Sequence, residues 1–222
     1  MLLDFHGTIA QVEEPLTWVA LAARRCGVTL DRARTTALAD RLLTAGRAGG
    51  PLPRRVPPHL IEVWAERDLS ERAHRAAFAG LAATVDAGIE GFADALYERL
   101  LDADGWVLYA DTLPILRALK TAGVPVAVVS NIGFDIRPLG DALGFGDLLD
   151  AYVLSYEVGR CKPDPAIFYK ACAALRVDPE AALMVGDSAV DAGAAAVGCS
   201  VLVLPQSPPG AVHGLAAILR LL

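Results

Sequence analysis

Four short apolar runs set the strongest constraint on this chain: VPVAVVS (124–130), AYVLS (151–155), ALMVGD (182–187) and SVLVL (200–204). Continuous apolar runs of this length suit parallel strands buried on both faces. The stretches between them have helical character, at about 113–122, 134–143, 165–175, 189–197 and 211–221. Strands alternating with helices predict a doubly wound parallel sheet covered on both sides, each crossover right-handed. Leu2 and Leu3 read as the end of one more strand.

Residues 14–101 have a different texture and read as helices only. PLTWVALAARRCG runs from Pro15 to Gly27, the usual asymmetry of helix ends. DRARTTALADRLLTAG has Asp31 as N-cap and Gly46 as stop. PPHLIEVWAERD, SERAHRAAFAGLAATVDAG (capped by Ser70) and EGFADALYERLLD complete the set. The expected organisation is an α/β core of residues 1–13 and 102–222 with an inserted, all-helical cap at 14–101.

The composition narrows the function classes. With 54% hydrophobic and 21% charged residues, disorder is not expected. A net charge of −6 disfavours non-specific nucleic-acid binding, which needs a basic surface. No apolar run reaches the roughly 20 residues of a membrane span, and the N-terminus lacks a secretion-signal pattern. The expectation is a soluble, cytoplasmic protein, no membrane partner, and a homodimer compatible with the sequence. Cys26, Cys161, Cys172 and Cys199 show neither CxxC pairing nor metal-ligand spacing and are read as reduced thiols.

Open parallel sheets bind ligands at the carboxyl ends of their strands. Polar residues stand at three of those ends: Asp4, Ser130-Asn131, and Gly186-Asp187-Ser188. A carboxylate at position 4, before the tight turn Gly7-Thr8, suits a nucleophile, a hard-cation ligand or an ordinary turn aspartate. Ser130 and Asn131 suit phosphoryl binding or a helix cap. Lys162, held between prolines in GRCKPDPAIF, can neutralise a negative centre or lie exposed. Asp187 and Asp191, one helical turn apart, suit Mg²⁺ or an acidic helix N-terminus.

Taken in order, Asp4-Phe5-His6-Gly7-Thr8, Ser130, Lys162-Pro163 and Gly186-Asp187-Ser188 with Asp191 resemble the four motifs of the haloacid dehalogenase-like superfamily of hydrolases. The resemblance covers somewhat more than half of the chain and implies a Rossmann-like core. The helical insert is similar to a C1 cap in position and helicity. The resemblance also implies roles. Asp4 would be the nucleophile that becomes an aspartyl-phosphate. Thr8, Ser130, Asn131 and Lys162 would bind the substrate, a small phosphorylated metabolite, with Lys162 also balancing charge on Asp4. Mg²⁺ would be held by Asp4, the His6 carbonyl, Asp187 and Asp191.

Phosphatases of that superfamily resemble the pattern Asp-x-Asp-Gly-Thr, whose second aspartate is the acid and base. This chain has His6 there. Its ordinary pKa of about 6.5 suits the same work. The alternatives are a metal-independent 2-haloacid dehalogenase, a weakened relative that only binds a ligand or partner, or a histidine that merely packs. Two features of the insert stay open. Arg47, Arg54, Arg55 and His59 form either an anion-sensing loop or a solvated one. Trp18, Trp64 and Trp106 read as packing residues.

Overall fold

The computed structural model describes residues 1–221. Strand β1 (Leu2–Leu3) is followed by a tight loop and strand β2 (Ala10–Val12). Five helices come next: α1 (Pro15–Arg25), α2 (Arg32–Ala45), α3 (Ile61–Ala65), α4 (Glu71–Ala83) and α5 (Phe92–Leu101). The chain returns through β3 (Trp106–Leu108) and then alternates: α6 (Thr112–Thr121), β4 (Ala127–Ser130), α7 (Arg137–Leu143), β5 (Ala151–Leu154), α8 (Ser155–Val158), α9 (Pro165–Leu175), β6 (Leu183–Gly186) and β7 (Ser200–Val203).

Five strands form one parallel sheet in the order β5-β4-β1-β6-β7. Strand β1 is central: Leu2 lies opposite Ala127 and Met184, and Leu3 opposite Val128 and Val185. Its two leucines alternate between the two apolar layers. Leu3 packs with Phe5, Val128 and Phe145, and Leu2 with Val129, Phe168 and Met184. The register brings the carboxyl ends of β1, β4 and β6 side by side, where the acidic and hydroxyl residues were expected to converge.

The caps predicted at Asp31 and Ser70 form: Asp31 Oδ1 accepts from Arg34 N at 2.8 Å and Ser70 Oγ from Ala73 N at 3.2 Å. Several boundaries differ. The expected strand at 124–130 begins only at Ala127, and Ser155 opens α8 instead of ending a strand. The stretch 57–68 splits into a 3₁₀ turn, Pro58–Leu60, and the short α3. The helices expected at 189–197 and 211–221 are 3₁₀ segments, Asp191–Val197 and Leu215–Arg220. At seven and six residues, both are longer than most 3₁₀ runs.

Strands β2 and β3 pair antiparallel as a separate two-stranded ribbon, with Gln11 opposite Val107. This ribbon closes the points where the chain leaves for and returns from the five helices. Those helices share an apolar cluster that includes Trp18, Val19, Leu38, Leu42, Phe92 and Leu96. The tryptophans pack as expected. Trp18 Nε1 donates to Leu96 O at 3.0 Å, Trp106 Nε1 to Leu100 O at 2.8 Å, and Trp64 lies edge-on to Phe78. No disulfide occurs among the described residues; the buried Cys172 and Cys199 sulfurs are 4.0 Å apart.

His74 of α4 joins the helical segment to the sheet domain. Its ring sits against Phe78 and Phe134, and Nδ1 meets Tyr97 Oη at 2.8 Å. Burial, with Arg67 adding to it, depresses its pKa to about 3. The unfolded chain therefore takes up a proton below pH 6.5 that the folded one refuses. Stability from this residue is complete above pH 6.5 and falls by about 1.4 kcal/mol per pH unit toward pH 3. Urea titrations at pH 7 and 5 are expected to show this dependence as the difference between wild type and His74→Phe, the wild type gaining on the variant as pH rises from 5.

Candidate active site

The loop after β1 is built by its own backbone. Thr8, Ile9 and Ala10 N–H all donate to Phe5 O, and Gly7 N–H donates to Ala10 O. Gly7 holds φ +83°, and a Cβ there would overlap Asp187 Oδ2. The bare glycine is what lets β6's carboxylate approach the loop. Gly7→Ala is expected to push Asp187 aside and lower turnover about 10²-fold while the circular-dichroism spectrum stays native, since misplacement near 1 Å has that cost.

Asp4 is 7% exposed, Lys162 4% and Asp191 0%. Lys162 Nζ donates to Asp4 Oδ1 at 2.7 Å and to Asp191 Oδ1 at 2.6 Å. The other oxygen of Asp191 accepts from Ser188 Oγ at 2.6 Å and Ser188 N at 3.1 Å. Oxygens of Asp4, Asp187 and Asp191 lie within 4.8 Å of one another. Burial raises the Asp4 pKa to about 7 against the opposing pull of Lys162, with Asp191 adding to the rise. Burial and then the Asp191 charge raise Asp187, partly offset by His6. Burial works against the Lys162 ammonium, but Asp4 and Asp191 outweigh it and its pKa rises.

The neighbours divide by what they do. Ser130 ends β4 beside β1, buried. Asn131 clamps the Lys162 backbone: Nδ2 donates to Lys162 O at 2.9 Å and Oδ1 accepts from Lys162 N at 2.6 Å. Its side chain thereby holds the lysine's backbone in place. Thr8 is fully buried and its Oγ1 has no hydrogen-bond partner among the described residues.

The His6 ring is held edge-on to Trp106, with Nε2 against Gln11 Oε1. Burial lowers its pKa, countered by the Gln11 bond and the Asp187 charge. The ring is therefore neutral near pH 7. Gln11 and Asn131's clamp were missed in the sequence, because neither residue type nor spacing marks them.

The arginine loop splits. Arg54, Arg55 and His59 are exposed, while Arg47 is buried, its Nη1 donating to Glu13 O at 2.8 Å and its guanidinium 4.2 Å above the Trp18 ring. Arg99 forms a buried two-pronged pair with Glu13, 2.8 Å on each branch. These contacts fasten the helices to the end of the β2/β3 ribbon.

The sequence matches the haloacid dehalogenase-like hydrolase family over residues 1–198. The chain belongs to that family. Haloacid dehalogenase-like hydrolase domain-containing protein 3 of Mus musculus is 33% identical over 119 residues, 53% of this chain and 47% of that protein. The putative pyrophosphatase PpaX of Clostridium perfringens is 35% identical over 109 residues, 46% of this chain and 51% of that protein. The matched part thus spans about half the length of these curated relatives. In fold, this hydrolase is similar to a solved dehalogenase captured with an intermediate complex, with TM-score 0.67 at 22% identity over 100% of this chain and 95% of that one.

A divalent ion fits the donor set of this hydrolase. Fully ionised, three carboxylates beside one ammonium would leave the cluster two negative charges in excess. Both Asp191 oxygens are engaged, so Asp4 and Asp187 are the carboxylates with oxygens to offer. The loop's backbone bonds go to the carbonyls of Phe5 and Ala10, leaving the His6 carbonyl unclaimed. All of these are hard oxygen donors, the kind Mg²⁺ selects. Asp191, tied to Ser188 and Lys162, completes the three-carboxylate group whose oxygens could hold the ion.

Proposed function

We propose that this hydrolase is a magnesium-dependent phosphatase of small phosphorylated metabolites, working through an aspartyl-phosphate on Asp4. The observation that carries the reading is the gathering of three carboxylates around a single ammonium beside Asp4: carboxylates this close together call for a divalent cation. A dehalogenase would use the same nucleophile without that requirement. The ion would be held by Asp4, Asp187 and the His6 carbonyl, and when bound it offsets negative charge on the phosphoryl group.

The chain's own residues do the rest. An Asp4 oxygen attacks phosphorus in line, the bond to the leaving oxygen breaks, and Lys162 keeps the nucleophile ionised and oriented. Ser130, at the adjacent strand end, faces the phosphoryl oxygens. Asn131 fixes the lysine backbone so that its ammonium cannot drift. The His6 imidazole exchanges the protons: one goes to the departing oxygen, and one is taken from the water that hydrolyses the acyl-phosphate. The arriving phosphate dianion offsets the burial that otherwise keeps the ring neutral.

The test is hydrolysis of an aryl phosphate with and without Mg²⁺. Wild-type activity is expected to need the ion, and His6→Ala to lose 10²–10⁴-fold in kcat, the usual scale of acid-base help. Full activity in His6→Ala removes the histidine's role. Metal-free chloride release from a 2-haloacid, without phosphatase activity, replaces the phosphatase reading with the dehalogenase one.

A further inference from the structure

Gln11 has no role in any motif, yet its amide is the group that the His6 ring meets. Strand β2 carries it, one residue before Val12 and opposite Val107 on the ribbon. Its Oε1 accepts from the Val12 backbone N–H at 2.9 Å. A backbone N–H can only donate, so the atom facing Val12 is the amide's carbonyl oxygen. The same oxygen faces His6 Nε2. Nε2 must then carry a hydrogen. In a neutral imidazole only one nitrogen does, so Nδ1 bears the lone pair.

The other surroundings agree. Gly49 of the helical insert covers the Nε2 edge so closely that a Cβ there would lie 2.8 Å from Nε2. That edge is closed off by protein.

We propose that Gln11 is a positioning residue that fixes the tautomer of His6, with the hydrogen on Nε2 and the lone pair on Nδ1. The assignment rests on the acid-base reading of His6 for its consequence, but not for its geometry. Since β2 also starts the path into the helices, the ring is oriented from the same ribbon that anchors the insert.

The experiment is a long-range ¹H–¹⁵N correlation spectrum of histidine-labelled protein at pH 8, with the His6 signals assigned by their loss in His6→Ala. The expected wild-type pattern is a hydrogen-bearing Nε2 and a bare Nδ1. Gln11→Leu is expected to lose that pattern to a tautomer mixture and to lower kcat on an aryl phosphate by at least tenfold, with KM within about twofold. A merely structural glutamine would leave the tautomer in place. Hydrogen on Nδ1 in the wild type overturns the proposal without any variant having to fold, and so does an unchanged tautomer in Gln11→Leu. An Nε2–H pattern alongside full activity of His6→Ala supports Gln11's hold on the ring and overturns the acid-base reading alone.

Discussion

Asp4→Asn is expected to lower kcat by at least about 10⁴-fold and, in the same protein, to raise stability above neutral pH. The activity loss follows from chemistry: an amide cannot attack phosphorus, and removing a covalent nucleophile costs on that scale. The stability gain follows from the shifted pKa. Asp4 titrates at about 7 in the fold, chiefly because it is buried, against an ordinary value of 3.8. Between pH 3.8 and 7 the folded protein holds a proton that the unfolded chain has released. Stability from this group therefore falls as pH rises through that window, and above pH 7 the ionised buried carboxylate costs ~4 kcal/mol. Asparagine has the same shape and no such cost. Urea unfolding in chelator is expected to show wild type and variant alike at pH 4, with the variant ahead by a few kcal/mol at pH 8. Equal stabilities at pH 8 would mean that Asp4 is not held at a cost, and retained turnover would remove it as the nucleophile.

That coupling of strain and reactivity explains which parts of the molecule were legible in the sequence. Buried parallel strands need continuous apolar runs, so β4 to β7 were visible to within a few residues. The acids at their ends were visible for a related reason: a carboxylate directly after such a run has no ordinary place in a core. The 3₁₀ segments at 191–197 and 215–220 were misread because periodicity does not separate a short 3₁₀ run from an α-helical one. The β2/β3 ribbon was missed because three-residue strands such as AQV and WVL carry too little pattern. Arg47 was grouped with a solvated loop; its burial depends on Glu13 and Trp18, far behind it in sequence. Asn131 and Gln11 act by backbone-directed and tautomer-directed bonds, which depend on angles that no residue spacing encodes. The sequence thus displayed the charged groups of the site and concealed the neutral ones that aim them.

Lys162→Met carries the largest expected change in how the site handles charge. The ammonium bridges two carboxylates at 2.7 and 2.6 Å with almost no solvent contact. Removing one partner of a buried ionic cluster typically costs 3–5 kcal/mol, because the remaining charges stay behind unpaired. Methionine matches the length of the lysine stem, so packing is largely kept and the electrostatic effect is isolated. Two routes of relief are open to the three carboxylates, and each has a signature. The first is protonation: Asp4, already at about 7, is pushed higher, so the variant is destabilised more at pH 8 than at pH 5, and its nucleophile is neutral at pH 7. Turnover is expected to fall at least about 10³-fold, with partial recovery as pH rises. The second is a cation: Mg²⁺ at millimolar concentration is expected to raise Tm in both proteins, and by more in Lys162→Met, since binding to the native state alone stabilises in proportion to RT ln(1 + [L]/Kd). A variant with near-wild-type kcat would show that Lys162 does not keep Asp4 ionised. A Tm indifferent to Mg²⁺ in both proteins would remove the divalent ion from the site, and the magnesium-dependent reading with it.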